Sequence, residues 1–213
     1  MGARTPGILF IVCAPSGAGK TSLVRALVNA LPQISVSVSH TTRVRRPGER
    51  EGRDYYYVDH GEFERMIREE RLLEHALVFD HYYGTSHEWV ERALHTQDVI
   101  LEIDWQGAQQ VRKAFPYCVS VQVFPPSLAA LEERLTRRGQ DSGAIIDRRM
   151  SEAVEEMAHM GEFDYVVVND EFEVALETLR AIVLSERART PQIELTHEAL
   201  IAQLLDPATV ETI

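Results

Sequence analysis

The feature that most restricts this chain is the apolar run Ile8-Leu9-Phe10-Ile11-Val12-Cys13, followed at once by Ala14-Pro15-Ser16-Gly17-Ala18-Gly19-Lys20-Thr21. A short apolar segment ending in a glycine-rich turn is what a strand buried on both faces requires. A helical pattern follows, so the order is that of a nucleotide-phosphate cradle. Gly17 and Gly19 admit backbone angles and close approach that a Cβ would obstruct. The N–H groups of the turn and of the helix start then converge on phosphate oxygens. In this reading Lys20 reaches the β- and γ-phosphates of a nucleotide, and the Thr21 hydroxyl ligates Mg²⁺. One position departs from G-x-x-x-x-G-K-[ST]: Ala14 stands where the first glycine is usual.

Downstream, strand and helix patterns alternate. Strands are expected at 8–13, 35–38, 99–103, 119–124 and 165–168, and helices at 20–31, 107–114, 128–138, 145–160 and 172–187. The strands are short, β-branched and nearly all apolar, as in a parallel sheet covered on both faces. Ser127 is placed to cap the helix that follows Pro125-Pro126. This alternation predicts an α/β layer fold with a mostly parallel sheet. Residues 40–95 break the rhythm: a tyrosine-rich strand at 55–58, a helix at 61–70 and a strand at 72–79 read as an inserted α+β subdomain with its own small sheet. The core then comprises 1–39 and 96–189. Gln140-Asp141-Ser142-Gly143 separates two arginine-rich helices and marks a lid at 137–149. A tail at 190–213 carries one more helix, at 196–205.

The 213 residues are enough for a substantial core, and no apolar run approaches the ~20 residues of a membrane helix. The N-terminal residues lack the apolar core of a signal peptide, and Pro6 breaks the myristoylation pattern. Cys13 and Cys118 fall in expected strands without metal-ligand spacing, and are read as reduced core thiols of a cytoplasmic protein. A net charge of −11 argues against a nucleic-acid binder. Charge distribution says more than the sum. Lysine occurs only at 20 and 113, and ten of the 20 arginines fall within 43–53 and 134–149. Such runs are commonly solvated faces, but arginine is also the residue for bidentate phosphate capture. Two arginine windows beside a phosphate loop suggest a site for more than one phosphorylated ligand.

Three further segments carry a resemblance: Ser37-Val38-Ser39-His40-Thr41-Thr42-Arg43-Val44-Arg45-Arg46-Pro47-Gly48-Glu49; Glu74 with Tyr82-Tyr83-Gly84-Thr85; and Leu101-Glu102-Ile103-Asp104-Trp105-Gln106-Gly107. In order and spacing, from about Ile8 to about Arg189, the chain resembles guanylate kinases of the bacterial type. The resemblance implies a P-loop NTPase fold and transfer of the γ-phosphoryl of ATP to GMP with Mg²⁺. It implies ATP-binding roles for Ala14, Pro15, Ser16, Gly17, Ala18, Gly19, Lys20, Thr21, Arg134 and Asn169. It implies a GMP site of Ser39, Arg43, Arg46, Tyr55, Glu74, Tyr83, Gly84, Thr85 and Asp104. Glu74 and Asp104 match the guanine-binding acids, and guanine's N1–H and N2–H₂ donors suit carboxylates; adenine would leave a buried charge unpaired. Thr85 has a second reading, since Thr85-Ser86-His87-Glu88 also fits a capping box. Arg43, Arg46, Tyr55 and Tyr83 match the set that holds the GMP phosphate. Tyr56 and Tyr57 are assigned to packing, and Arg45, Arg50 and Arg53 to the surface.

Lys20, Arg43, Arg138 and Arg149 match the groups that neutralise charge during transfer, with Arg137 and Arg148 as neighbours. Glu102 stands where some members have Asp, near the metal's water shell, and Asn169-Asp170 resembles the segment that flanks adenine. Because a phosphate oxygen of GMP is itself the nucleophile, alignment and charge neutralisation suffice, with no phosphoenzyme. Two other readings stand beside this: a catalytically inert protein-binding module of the same fold, and a phosphotransferase for a different acceptor. Oligomeric state, donor selectivity and the purpose of the tail are not legible.

Overall fold

In a computed structural model the described residues are 5–78, 80–137 and 143–206. The chain begins β1 (Leu9–Cys13), α1 (Lys20–Ala30) and β2 (Ile34–Val36), and later adds β7 (Asp98–Glu102), α4 (Trp105–Ala114), β8 (Val119–Phe124), α5 (Leu128–Arg137), α6 (Gly143–Ala158), β9 (Tyr165–Val168) and α7 (Phe172–Arg187). Between them lie β3 (His40–Thr41), β4 (Tyr56–Tyr57), α2 (His60–Arg68), β5 (Leu72–Val78), β6 (His81–Ser86) and α3 (His87–Leu94).

The first group makes a five-stranded sheet in the order β2-β7-β1-β8-β9, with every pairing parallel. The central strands β1, β7 and β8 are buried because helices cover both faces, whereas Val166 and Val168 of the edge strand β9 are exposed. Phe10, Val12, Leu23, Leu27 and Leu179 fill one side, and Leu9, Ile11, Leu101, Val90 and Val111 the other. Period-two alternation within β1 thus feeds two cores at once. From β1 the chain crosses to β2 on one side, and from the neighbouring β7 it crosses to β8 on the other, so the connections diverge between β1 and β7. In open parallel sheets ligands lodge beyond the carboxyl ends of strands at such a switch point. The turn after β1 occupies it.

The other end of the sheet is fastened by charge. Asp98, 5% exposed, accepts from Ile8 N at 2.8 Å and from Arg187 Nε at 2.7 Å. Arg187 also donates to the Pro32 carbonyl at 2.9 Å, joining the end of α7 to the starts of β1, β2 and β7.

The second sheet, order β4-β3-β6-β5, is built from the inserted segment, with β3 parallel to β4 and β6 antiparallel to both neighbours. The sequence reading misses β3, β6 and α3. β6 reads His-Tyr-Tyr-Gly-Thr-Ser and shows no apolar alternation; α3 is short and buries Val90 and Leu94 alone. The tail also differs, with α8 (Thr190–Thr196) and α9 (Glu198–Leu205) in place of one helix. Cys118 lies one residue ahead of β8 and is half-buried, whereas Cys13 is fully enclosed. Ser127 caps α5 as expected, its hydroxyl accepting from Ala130 N at 3.1 Å. Among the described residues no helix is long and apolar enough to cross a membrane.

Candidate active site

The turn after β1 is held open by its glycines. Gly17 and Gly19 have φ of +95° and +96°, and a Cβ on Gly19 would stand 2.3 Å from Asn169 Nδ2. Asn169, 5% exposed, donates that amide to the Ala18 carbonyl at 2.7 Å, and Arg134 donates to the Asn169 carbonyl at 3.2 Å. These two residues clamp the turn from behind; neither lines the cleft in front of it. Ala18 itself is buried. The helix α1 then starts on Gly19 without a side-chain cap, whereas α2, α3 and α4 are capped by Asp59, Ser86 and Asp104. A helix start left uncapped beside a lysine is a ready anion site.

Lys20 reaches back to donate to the Ile103 carbonyl at 3.1 Å, and Thr21 donates to Glu102 Oε2 at 2.8 Å. Burial works against the Lys20 ammonium, but the nearby Glu156 and Glu102 carboxylates outweigh it and hold its pKa above the ordinary value.

From this turn a cleft of about 550 Å³ extends to the second sheet. Ser39, Arg43, Arg46, Tyr55, Glu74 and Tyr83 line its far side, and Asp104, Glu102 and Arg149 its walls. Glu74 is placed by three local devices. A bulge between Leu72 and Glu74 interrupts the β5–β6 register, so Leu73 and Glu74 are both buried where strict alternation would expose one. Gln110 of α4 exchanges hydrogen bonds with the His75 backbone at 3.1 and 2.8 Å, tying β5 to the helix that Asp104 caps. Gly107 leaves room for the carboxylate, since a Cβ there would sit 2.6 Å from Glu74 Oε2. Burial pushes the Glu74 pKa up to about 7, against the Thr85 hydroxyl that donates to Oε1 at 2.6 Å. Asp104 Oδ1 accepts from Gly107 N at 2.8 Å, so it is a helix cap as well as a cleft acid.

Gly84 and Thr85 stand behind Glu74 and do not line the cleft. Gly84 is required by packing, because a Cβ would meet Leu72, Phe63 and the Glu74 carbonyl within 3.0 Å. The capping alternative for Thr85 does not hold: Ser86 caps α3, accepting from Trp89 N at 3.3 Å. Arg138 lies outside the described residues, as do 139–142 of the lid expected at 137–149, whose other residues end α5 and begin α6.

Several residues escaped the sequence reading. Glu156 of α6 lines the cleft near Lys20, its pKa raised to about 7 by burial, and its Oε1 has no hydrogen-bond partner among the described residues. Trp105, also lining the cleft, stacks on His159 with centroids 3.8 Å apart. Glu49 pairs with Arg43 at 2.7 Å and accepts from the Tyr57 hydroxyl at 2.8 Å, so Tyr57 does more than pack. Nothing in an acidic residue on a charged loop or helix distinguishes it from surface. Gly107, three residues beyond Asp104, was the one with a visible signal.

A parallel sheet of this order, a phosphate turn at its switch point and an acid-lined cleft opposite define a P-loop nucleotide kinase. The comparisons with known proteins narrow the class. A family model described as guanylate kinase matches residues 7–186. The chain is 55% identical over 202 residues to the guanylate kinase of Methylococcus capsulatus, covering 94% of this chain and 99% of that one. It is 52% identical to the guanylate kinase of Escherichia coli strain K12, covering 93% and 98%. A crystal structure of guanylate kinase from Anaplasma phagocytophilum superposes with a TM-score of 0.76 at 30% identity, covering 93% of this chain and 95% of that chain. The chain belongs to the guanylate kinase family, whose members are ATP:GMP phosphotransferases.

Proposed function

We infer that the chain transfers the γ-phosphoryl of ATP directly to GMP, giving ADP and GDP. The observation that carries this is the single cleft in which Lys20 of the phosphate turn and the acids Glu74 and Asp104 face the same space. ATP phosphates fit the turn, the α1 start and Lys20, with Arg134 and Asn169 supporting the turn's shape. Guanine fits Glu74 and Asp104, and the GMP phosphate fits Arg43, Arg46, Tyr55 and Tyr83. Ionised Glu74 accepts from guanine's donors, so guanine draws its pKa down from about 7. Its bond from Thr85 fixes which oxygen remains for the base.

The Thr21 hydroxyl and the Glu102 carboxylate, 2.8 Å apart at the turn, are hard oxygen donors of the kind Mg²⁺ takes. When bound, the ion would neutralise phosphate charge. Lys20 and the arginines from both sides of the cleft, Arg43 and Arg149, supply the protein's own neutralisation. The attacking oxygen belongs to GMP, so alignment replaces general-base chemistry. A phosphorylated enzyme intermediate trapped during turnover would overturn that mechanism. The division into a core at 1–39 and 96–189, a GMP-binding insertion at 40–95, a lid at 137–149 and a tail belongs to the same proposal, as does a cytoplasmic site of action.

A coupled assay offering GMP, AMP, UMP and CMP tests the assignment. GMP is expected to turn over far faster than the others; equal turnover of AMP would remove Glu74 and Asp104 from base selection.

A further inference from the structure

Arg43 sits on a loop between two very short strands, yet a residue that meets a phosphate must meet it in one place. Arginine brings large rotamer freedom to such a task. Around Arg43 that freedom is removed by one carboxylate. Glu49 Oε1 accepts from an Arg43 terminal nitrogen at 2.7 Å, while Oε2 accepts from Arg46 N at 2.8 Å and from the Tyr57 hydroxyl at 2.8 Å. The turn that brings Glu49 round is a Pro-Gly turn: Glu49 N donates to the Arg46 carbonyl at 3.2 Å, and Gly48 takes a φ of +89°. The other terminal nitrogen of Arg43 donates to the Val44 carbonyl at 3.1 Å, and the guanidinium lies over the Tyr55 ring at 5.3 Å. Two of the guanidinium's N–H groups are thereby committed, the Tyr83 hydroxyl stands beside the group as a further partner, and Arg43 lines the cleft.

We propose that Glu49 is the positioning residue of the acceptor-phosphate site, its carboxylate bridging the Arg43 guanidinium, the Arg46 N–H and the Tyr57 hydroxyl so that Arg43 and Arg46 present to the GMP phosphate in one fixed arrangement. The inference rests on the reading of this cleft as a GMP site and names a residue which that reading leaves unassigned. Charge makes the case sharper. The three donors hold the Glu49 pKa down to about 2 against burial, so it is fully anionic at neutral pH. An anion beside a phosphate pocket opposes the phosphate, and a site selected for attraction alone would lack it. Its presence is accounted for by geometry: Glu49 gives up some positive potential and returns an ordered pair of arginines. The two accounts predict opposite signs. If charge governs, removing it tightens GMP binding; if position governs, removing it weakens binding, because an amide cannot accept at both ends.

The experiment compares full-length wild type with Glu49→Gln, Tyr57→Phe and Arg43→Ala, measuring affinity for GMP and for guanosine, which lacks the phosphate, together with KM for ATP. Glu49→Gln is expected to weaken GMP binding by about 10- to 100-fold. Tyr57→Phe, which deletes one of three bonds, is expected to weaken it by about 3- to 10-fold. Guanosine affinity and KM for ATP stay unchanged in both. GMP binding by Glu49→Gln that is unchanged or tighter overturns the proposal, and so does an equal loss for guanosine, which would mark plain structural damage. If Glu49→Gln does not fold, Tyr57→Phe decides by the same GMP-selective criterion. Arg43→Ala separates the two levels. If it leaves GMP binding intact, the acceptor-site reading itself fails; if it weakens GMP while Glu49→Gln does not, the Glu49 assignment alone fails.

Discussion

The turn at 14–21 and the loop at 43–53 face one cleft, and each is suited to a phosphate, but by different means. The first offers backbone N–H groups at the start of α1, shaped by two positive-φ glycines and braced from behind by Asn169. The second offers the side chains of Arg43 and Arg46, braced by the Glu49 carboxylate, with Tyr55 just beyond the loop and Tyr83 of β6 beside them. Backbone donors need no ordering once the turn has folded. Side-chain donors do, which is why the arginine loop carries a hub and the glycine turn carries a clamp. A chain of phosphates suits the backbone cradle, and a lone phosphate suits side chains that a carboxylate holds in one arrangement.

The largest effect expected separates the two grips directly. Lys20→Ala should lower phosphoryl transfer by at least about 10²–10³-fold, with GMP affinity and melting temperature nearly unchanged. Steady-state kinetics beside GMP titration checks this, and a matching loss of GMP affinity would blur the division. Next, Gly19→Ala forces a Cβ onto Asn169 at a φ of +96° and should cost about 1–3 kcal/mol of stability along with ATP binding, measurable by denaturant unfolding. Glu74→Ala should weaken GMP binding by about 1–3 kcal/mol and leave KM for ATP alone; unchanged GMP affinity would remove Glu74 from the base pocket.

A pH measurement refines the acid side. Glu74 and Glu156 are both raised from 4.5 to about 7, so between those values the fold binds protons that the unfolded chain releases. Their contribution to stability is therefore full below about pH 4.5 and lost as the pH rises through 7. Melting curves of ligand-free protein should show that decline, and Glu74→Gln should flatten it. The smallest effect is a control: Ser86→Ala should cost about 1 kcal/mol of stability through its lost cap while transfer continues at the wild-type rate.

How much of this was legible in the chain follows from the same contrast. β1 and its turn could be read because their physical requirements restrict residue type: apolar residues throughout the strand, then glycines, then Lys-Thr. β8, β9 and α7 fall at the expected residues because each apolar or periodic run is bounded by polar punctuation. The inserted sheet could not be read as well. His40–Thr41 is too short to show a period, and β6 is itself His-Tyr-Tyr-Gly-Thr-Ser, with Thr85 set opposite Glu74 and no apolar alternation to mark it. The bulge that turns Glu74 inward leaves no mark in sequence, since Leu72-Leu73-Glu74 reads as ordinary alternation with a slip. Arg43 was visible through the company it keeps; Glu156 was not, because Lys20 lies far from it in sequence, and Glu49 was not, because one acid in a charged loop carries no mark even with Arg43 and Arg46 close by.

The buried Asp98 has one more consequence. By fastening Ile8 and Arg187 at the base of the strands, it leaves slippage between α7 and the sheet with no easy route. The starts of β1, β2 and β7 and the end of α7 thereby form one tied floor, at the opposite end of β1 from the phosphate turn.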